Sequence, residues 1–442
     1  MTATVRITDL IDGRRLGAFQ FTVAALCALI GFTEGFDINS AGYFAPALAK
    51  ALSLKHGALG LFFSTGLFGL MLGGLFIAPI ADHIGRKPVL IGSLILYGLA
   101  SLAASTSTSL LMLEPLWFLV GLGVGGAMPN SIALTAEYVP QRSRSLIVTM
   151  TFNGFIAGSL AAGLTAAHLI KAMGWSSVLI VGGALPLILT PIVLLFLPES
   201  ARFLAMRPAH QTKVAALMRR IDRTQPVTGV LYAADHSPER VSVAALFGAG
   251  RGARTLLLWT MVLFSFFVMF LMSSWLPTQV ASLGVSVVLA IAIGALLQLG
   301  GMAGTVLGWA LDRFGPGLTL ALAYLFGACA IAGIGLVGKN VPLLALCVLA
   351  AGFGVLGAQS ASNAVAATSY PTEIRSTGVG WFFGIGRIGS IIGPSTAAVL
   401  LSSGVSNRNV FLLAVIPALC AAAAALGLQF TKPILTEPRS SR

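Results

Sequence analysis

Glu34 and Asp37, in the stretch Gly31-Phe-Thr-Glu-Gly-Phe-Asp37, are two carboxylates three residues apart inside the first long apolar segment of the chain. At that spacing they share one face of a helix. The nearest flanking cations are Arg15 and Lys50, so Glu34 falls close to mid-segment and neither acid can reach an aqueous edge. Burial disfavours the charged form and a neighbouring carboxylate disfavours a second charge, which suits the pair to taking up and releasing a proton. The plainer reading has both acids hydrogen-bonding neighbouring helices, but an ionisable group at this depth is read first as functional. Of the other acids only Glu114 lies in an apolar segment, one turn from its end, and it reads as interfacial.

Arg387 is the one basic residue inside an apolar segment. It follows Arg375 by 12 residues, a rise of about 18 Å on a straight helix, too deep for comfortable snorkelling. A guanidinium presents a planar fork that binds a carboxylate bidentately. Its partner is either the carboxylate of a ligand or a permanent ion pair with Glu34 or Asp37. A third arrangement links the two: protonation of the acids frees Arg387 for the ligand.

The elements that must position these groups follow from composition. Among 442 residues 57% are hydrophobic and 9% charged, against about a quarter charged in soluble domains. The chain is therefore expected to be an all-α polytopic membrane protein. Runs of roughly 20 apolar residues number twelve: 20–46, 57–80, 88–106, 110–135, 145–168, 177–197, 254–276, 286–310, 318–337, 342–367, 377–402 and 409–430. No charged leader with a small-residue cleavage site precedes the first run, so that span is expected to belong to the mature protein. The polar segment 198–253 divides the chain into six-helix bundles at 20–197 and 254–430, with tails at 1–19 and 431–442. Within it, Gln211 to Arg223 is amphipathic and expected to form a helix on the membrane surface.

Of 27 Lys and Arg, 21 fall on the side of the two termini and five (Lys50, Lys55, Lys171, Lys339, Arg408) on the other. This bias predicts cytoplasmic termini, tails and central loop. The net charge of +13 is punctuation between apolar runs rather than a basic domain, which excludes a nucleic-acid binder. Cys27, Cys329, Cys347 and Cys420 all lie in apolar runs without paired spacing, so no metal or disulfide role is expected. No His-Glu-x-x-His pattern occurs and the five histidines are scattered, so an intramembrane enzyme is not expected.

The two halves read as copies. Asp82-His-Ile-Gly85-Arg86-Lys87 after the second span recurs as Asp312-Arg313-Phe-Gly315 after the eighth, and Pro140 and Arg144 recur as Pro371 and Arg375, at offsets of 230 and 231. Such a six-plus-six repeat marks transporters whose substrate site lies between the halves near the midplane. The Asp-x-x-Gly-Arg-Lys loop, its weaker copy, the exits Glu137-Tyr-Val-Pro140 and Tyr370-Pro371, and the twelve-span layout together resemble the major facilitator superfamily. Three further motifs are similar to its aromatic acid:proton symporter branch: Glu34-Gly-Phe-Asp37 with Ala45-Pro46, Gly121-Leu-Gly-Val-Gly-Gly-Ala-Met-Pro-Asn130, and Gly384-Ile-Gly-Arg387-Ile-Gly389.

The resemblance implies the major facilitator fold and import of an aromatic carboxylate, hydroxybenzoate- or phenylpropionate-like, with a proton as coupling ion and no other cofactor. Expected partners are that small acid, the proton and the lipid bilayer; the expected setting is a bacterial-type inner membrane, and the expected state a monomer. Glu34 and Asp37 would carry the proton and Arg387 the carboxylate. An aromatic ring needs an apolar slot with a few polar groups, for which Phe36, Phe152, Asn153, Gln298, Asn363 and Trp381 are candidates. Asp82, Gly85, Arg86 and Lys87 are expected to hold helix ends together as gate contacts, Asp82 accepting from backbone or from an arginine such as Arg144. Glu137 with Arg144 and Glu373 with Arg375 extend that network, to which Asp312 and Arg313 of the weaker loop copy also belong.

The chain departs from the family pattern at Ala78, where the loop motif has glycine, at Trp117, where many relatives have arginine, and at Glu34, where hydroxybenzoate carriers have aspartate. Antiport efflux is the alternative activity, weakened by the absence of a proline between Thr149 and His168. A non-transporting receptor on the same fold is the alternative from another class.

Overall fold

Inside a bilayer a backbone satisfies its own polar groups as helix, and here it does so nearly throughout. The computed structural model describes residues 3–54, 56–222, 230–233, 242–248, 250–371 and 374–431. The first half comprises β1 (Ala3–Arg6), α1 (Ile7–Asp12), α2 (Ala18–Ala51), α3 (His56–Leu72), α4 (Ala81–Ile84), α5 (Arg86–Ala104), α6 (Leu110–Tyr138), α7 (Gln141–Met173) and α8 (Ser176–Phe196). The central loop carries α9 (Ala201–Ala205), α10 (Gln211–Ile221) and β2 (Val230–Ala233). The second half comprises α11 (Gly252–Ala281), α12 (Val287–Ala303), α13 (Leu307–Phe314), α14 (Pro316–Leu336), α15 (Val341–Gly352), α16 (Ala358–Thr368), α17 (Arg375–Ser402) and α18 (Asn407–Leu428).

Eleven of these helical runs are long and apolar enough to cross a membrane. Two of the eleven are composite: α3 continues through a π-helical turn, Gly73–Ile77, and a 3-10 turn, Ala78–Ile80, into α4, and α15 continues through the π-helical turn Phe353–Gly357 into α16. The expected eighth span, 286–310, corresponds to α12, which is apolar but 17 residues long. A 3-10 turn at Gly304–Val306 interrupts that helix before α13 continues it.

Compactness groups the residues differently from chain order. One unit holds Met1–Ser40, Thr65–Ala162 and Ser176–Ser237; the other holds Ala41–Ser64, Gly163–Trp175 and Pro238–Arg442. The second unit thus includes the C-terminal third of α2 and the start of α3, held to α11 and α17 by close packing. A Cβ on Gly42 would meet the Ser273 carbonyl oxygen at 2.1 Å, and Phe44, Phe62, Phe63 and Trp275 form a chain of ring contacts at 5.4–5.9 Å. Trp275 Nε1 donates to the Pro394 carbonyl at 3.0 Å.

In the first unit β1 and β2 pair in parallel, with Ala3 opposite Val230 and Arg6 opposite Ala233. The Gln211 side chain clamps β2, its Nε2 donating to the Tyr232 carbonyl and its Oε1 accepting from the Tyr232 N–H, both at 3.0 Å. The apolar face of α10 (Val214, Ala215, Met218) is buried in protein. The expected surface helix exists, but it packs on its own domain rather than laying that face on lipid.

The repeat inferred from the loops extends to backbone contacts deep in the spans. A Cβ on Gly158 of α7 would stand 1.9 Å from the Phe32 carbonyl oxygen of α2; at the offset of 231, a Cβ on Gly389 of α17 would stand 2.0 Å from the Leu263 carbonyl oxygen of α11. Gly121 against Gly66 and Gly352 against Leu297 repeat the pattern at the same offset, at 1.9 and 2.1 Å. These crossings admit no side chain, and they set the depth and rotation of α2 and α17, which carry the acids and Arg387. Gly158→Val and Gly389→Val should each destabilise by about 1–3 kcal/mol or more through backbone displacement, read as a lower melting temperature of purified protein. Equal effects at both positions are the signature of the repeat.

Candidate functional site

α2 brings Glu34, Phe36 and Asp37 into the interior of the first unit, each at most 1% exposed. Glu34 sits beside Gly35, whose missing side chain lets α7 cross with the Phe155 carbonyl 1.9 Å from where a Cβ would be. Asp37 Oδ1 accepts from Ser101 Oγ of α5 at 3.1 Å, and that hydroxyl is also 3.1 Å from the Leu179 carbonyl of α8. Asp37 Oδ2 has no hydrogen-bond partner among the described residues. Gly182 of α8 completes the pocket: a Cβ there would lie 2.4 Å from Asp37 Oδ1. One turn before Asp37, Thr33 Oγ1 donates to the Ile30 carbonyl and accepts from Tyr97 OH at 2.7 Å. On α7, Phe152 stacks on Phe155 with ring centroids 5.8 Å apart, and half-buried Asn153 makes no side-chain hydrogen bond among the described residues.

The second unit has no copy of the acid pair. At the offset of 231, Glu34 is matched by Ser265, which accepts from Tyr324 OH at 2.9 Å, and Asp37 by Val268. Arg387, matched in the first half by Ile156, holds its guanidinium 5.9 Å from the centre of the Phe266 ring, the range of a cation–π contact. Asn363 Oδ1 accepts from Gln359 Nε2 at 3.1 Å, while Gln298 of α12 is buried. Trp381 precedes Arg387 by six residues, about 9 Å along α17, and its ring stacks on Trp259 at 5.6 Å with Phe247 edge-on to the same indole. That grouping resembles an interfacial aromatic belt more than a ligand slot.

The loop motif after α4 forms a network larger than its own residues. Gly85 has φ +103°, a conformation that favours glycine, and a Cβ there would strike the Glu199 carboxylate at 2.3 Å. Glu199 Oε1 accepts from the backbone N–H of Arg86 (2.8 Å), Lys87 (3.3 Å) and Ser200 (2.7 Å), so it caps the otherwise open N-terminus of α5. The Arg86 side chain pairs with Glu137 at 2.7 Å and reaches Asn130 at 3.3 Å; Ser200 Oγ donates to the other Glu137 oxygen. Lys87 Nζ donates to the Leu194 carbonyl at 2.8 Å.

Several expected pairings come out differently. Glu137 is taken by Arg86, not Arg144, because Pro140 turns the chain and Arg144 reaches back to Asp12 at 3.7 Å. Asp82 is exposed and makes no side-chain hydrogen bond or ion pair among the described residues, since its position in α4 faces away from the cluster around Glu199. Arg313 lies over the rings of Trp309 and Phe314 on its own helix, both at 5.9 Å. Glu373 lies outside the described residues, as do the side chains of Asp312 and Arg375. Gly315 keeps the left-handed turn of Gly85, at φ +83°. In this half Arg254 ties helix ends together, donating to Ser369 Oγ at 3.1 Å and Thr431 Oγ1 at 3.1 Å. Trp117 fills the space over Gly66, and the Ala78 carbonyl accepts from Asn130.

Sequence reasoning missed Ser101, Gly182, Asn130, Glu199 and Ser200. Glu199 alone carried a signal, as an acid at the exit of the sixth span beside a loop motif rich in open N–H groups. Gly182→Ala should push the buried Asp37 carboxylate off Ser101 and lower stability by about 1–3 kcal/mol. Glu199→Ala should cost a similar amount from the unmade hydrogen bonds at the start of α5, both measured by thermal melts in detergent.

The sequence model of the Major Facilitator Superfamily matches residues 27–339 and again 305–442. The chain is 41% identical to the 4-hydroxybenzoate transporter PcaK of Pseudomonas aeruginosa over 94% of each chain, and 39% identical to a gallate transporter of Pseudomonas putida over 96% of this chain and 95% of that one. Its fold superimposes on a crystal structure of a D-xylose-proton symporter with a TM-score of 0.72 at 17% identity, covering 94% of this chain and 99% of that one. The protein therefore belongs to the Major Facilitator Superfamily, a family of transporters and not enzymes, in the branch that holds the curated hydroxybenzoate and gallate transporters.

Proposed function

We propose that this protein imports an aromatic carboxylate together with protons by alternating access, with Glu34 and Asp37 carrying the proton and Arg387 binding the carboxylate. The observation that carries the reading is the setting of Asp37: wholly buried, anchored through one oxygen to Ser101, and without an ion-pair partner among the described residues. A carboxylate so placed changes the local charge each time it gains or loses a proton, and in a low-dielectric interior that change is large enough to bias one conformation over another. The identities of the relatives, transporters of 4-hydroxybenzoate and gallate, support the substrate class. Arg387 supplies the counter-charge such acids require.

In this reading Phe36, Phe152, Asn153, Gln298 and Asn363 shape the slot for the ring, and Trp381, already stacked on Trp259, stays out of it. The excess of Lys and Arg on the side of the termini supports cytoplasmic tails in an inner membrane. The carrier works as a monomer.

Proteoliposomes with an inside-negative, inside-alkaline gradient should accumulate labelled 4-hydroxybenzoate or a hydroxyphenylpropionate. Asp37→Asn should abolish accumulation while leaving exchange between equal pools. Arg387→Lys should raise the half-saturation concentration about tenfold, about 1.4 kcal/mol of lost binding. Equilibration that ignores the gradient would overturn symport, and full accumulation by Asp37→Asn would remove that acid from the mechanism.

A further inference from the structure

α10 carries cations that make no ion pair among the described residues. Lys213, Ala216 and Arg220 stand on one helical face at i, i+3 and i+7, with Arg219 beside them, and Lys213, Arg219 and Arg220 are exposed. That face lines two adjoining clefts that share Ala216 and Arg220. The first, about 560 Å³, adds Arg207 and His210; the second, about 770 Å³, adds Phe19 and Thr22 at the start of α2 and Phe196 at the end of α8.

The charge in this groove is one-sided. Arg207 lies over the Phe203 ring at 4.5 Å and Arg220 over the Phe19 ring at 5.1 Å, contacts that hold the guanidinium groups without cancelling their charge. Lys213 and Arg219 make no hydrogen bond or ion pair among the described residues. His210 Nδ1 is buried and has no hydrogen-bond partner among them. The single acid lining the first cleft, Glu199, already accepts three backbone N–H groups at the start of α5. Such a cluster of like charges is relieved by an anion.

The other wall of the groove is apolar and faces outward from the bundle. Phe196, at the end of α8, is 60% exposed, and Phe19 lines the same cleft at the start of α2, both helices being long and apolar enough to cross a membrane. A ligand that fills the groove therefore needs a phosphate-bearing head among the arginines and an acyl tail along these rings. A free inorganic anion would use only the basic half. We propose that the groove between α10 and the ends of α2 and α8 binds the headgroup of an anionic phospholipid. Basic pockets between membrane helices hold such headgroups, each nearby Lys or Arg adding about 1 kcal/mol, so two of them are worth roughly tenfold or more in affinity. The proposal rests on the membrane location of the fold and is independent of what the protein transports.

The test uses the full chain, purified, stripped of lipid in detergent and incubated with equal amounts of phosphatidylglycerol and phosphatidylcholine, with bound lipid counted by native mass spectrometry. Wild type should retain phosphatidylglycerol about tenfold over phosphatidylcholine, and the double variant Lys213→Gln, Arg219→Gln should lose that preference. Arg313→Gln, which removes a cation outside the groove, should keep it. The two substituted side chains are exposed and make no hydrogen bond or ion pair among the described residues, and an unchanged melting curve confirms folding; the single variant Arg219→Gln serves the same purpose should the double variant fail to fold. Equal retention of the two lipids by wild type, or an undiminished preference in the variants, overturns the proposal. Displacement of phosphatidylglycerol by millimolar inorganic phosphate also overturns it, assigning the groove to a soluble anion instead.

Discussion

A carboxylate that cannot reach water has to be given its surroundings by the helices around it, and the arrangement of the first unit follows from supplying those surroundings to Asp37. Ser101 provides one hydroxyl proton, placed between Asp37 and the Leu179 carbonyl at 3.1 Å from each. Gly182 provides space where any side chain would collide with the acid. Both conditions depend on the rotation of α5 and α8 about their axes, and α2 presents the acid at a fixed depth only because Gly35 and Gly158 let α2 and α7 touch backbone to backbone. Without a hydrophobic force to drive helices together in lipid, such small-residue crossings are what hold the bundle at this spacing.

The internal repeat explains the scaffold, and its exceptions mark the candidate site. Contacts at Gly158 and Gly389, or at Gly121 and Gly352, agree to within about 0.2 Å at an offset of 231 residues, so both halves retain one packing plan. Charge breaks the plan. The acids have Ser265 and Val268 as counterparts, and Arg387 has Ile156. A repeated frame that carries buried acids in one half and a cation inside a span in the other is the asymmetry that the proposed co-transport of a proton and an anion would use.

The fold and the charged part of the candidate site were legible because length and charge are strong signals in a membrane chain. Twenty apolar residues can do little but span, and an acid among them is conspicuous. Where a span is broken the signal weakens: the 3-10 turn at Gly304–Val306 leaves α12 at 17 residues, although the apolar run continues. Ser101 and Gly182 carried no signal, since a serine or glycine in an apolar helix means nothing until the face it presents is known. Glu137 and Arg144 invited pairing by proximity in sequence, but Pro140 points them apart and the nearer cation in space, Arg86, comes from 51 residues earlier. The cap that Glu199 places on α5 is a contact over 113 residues, which local pattern cannot reveal.

The pairing of β1 with β2 orders events during synthesis. Ala3 finds its partner at Val230, 227 positions later, so at about 5–20 residues per second the N-terminal strand waits for about 10–45 s while six spans emerge. Once Val230–Ala233 leaves the ribosome, β1 can pair with it before the second half has been made. The N-terminal strand is therefore fixed only after the sixth span and the start of the central loop have been made.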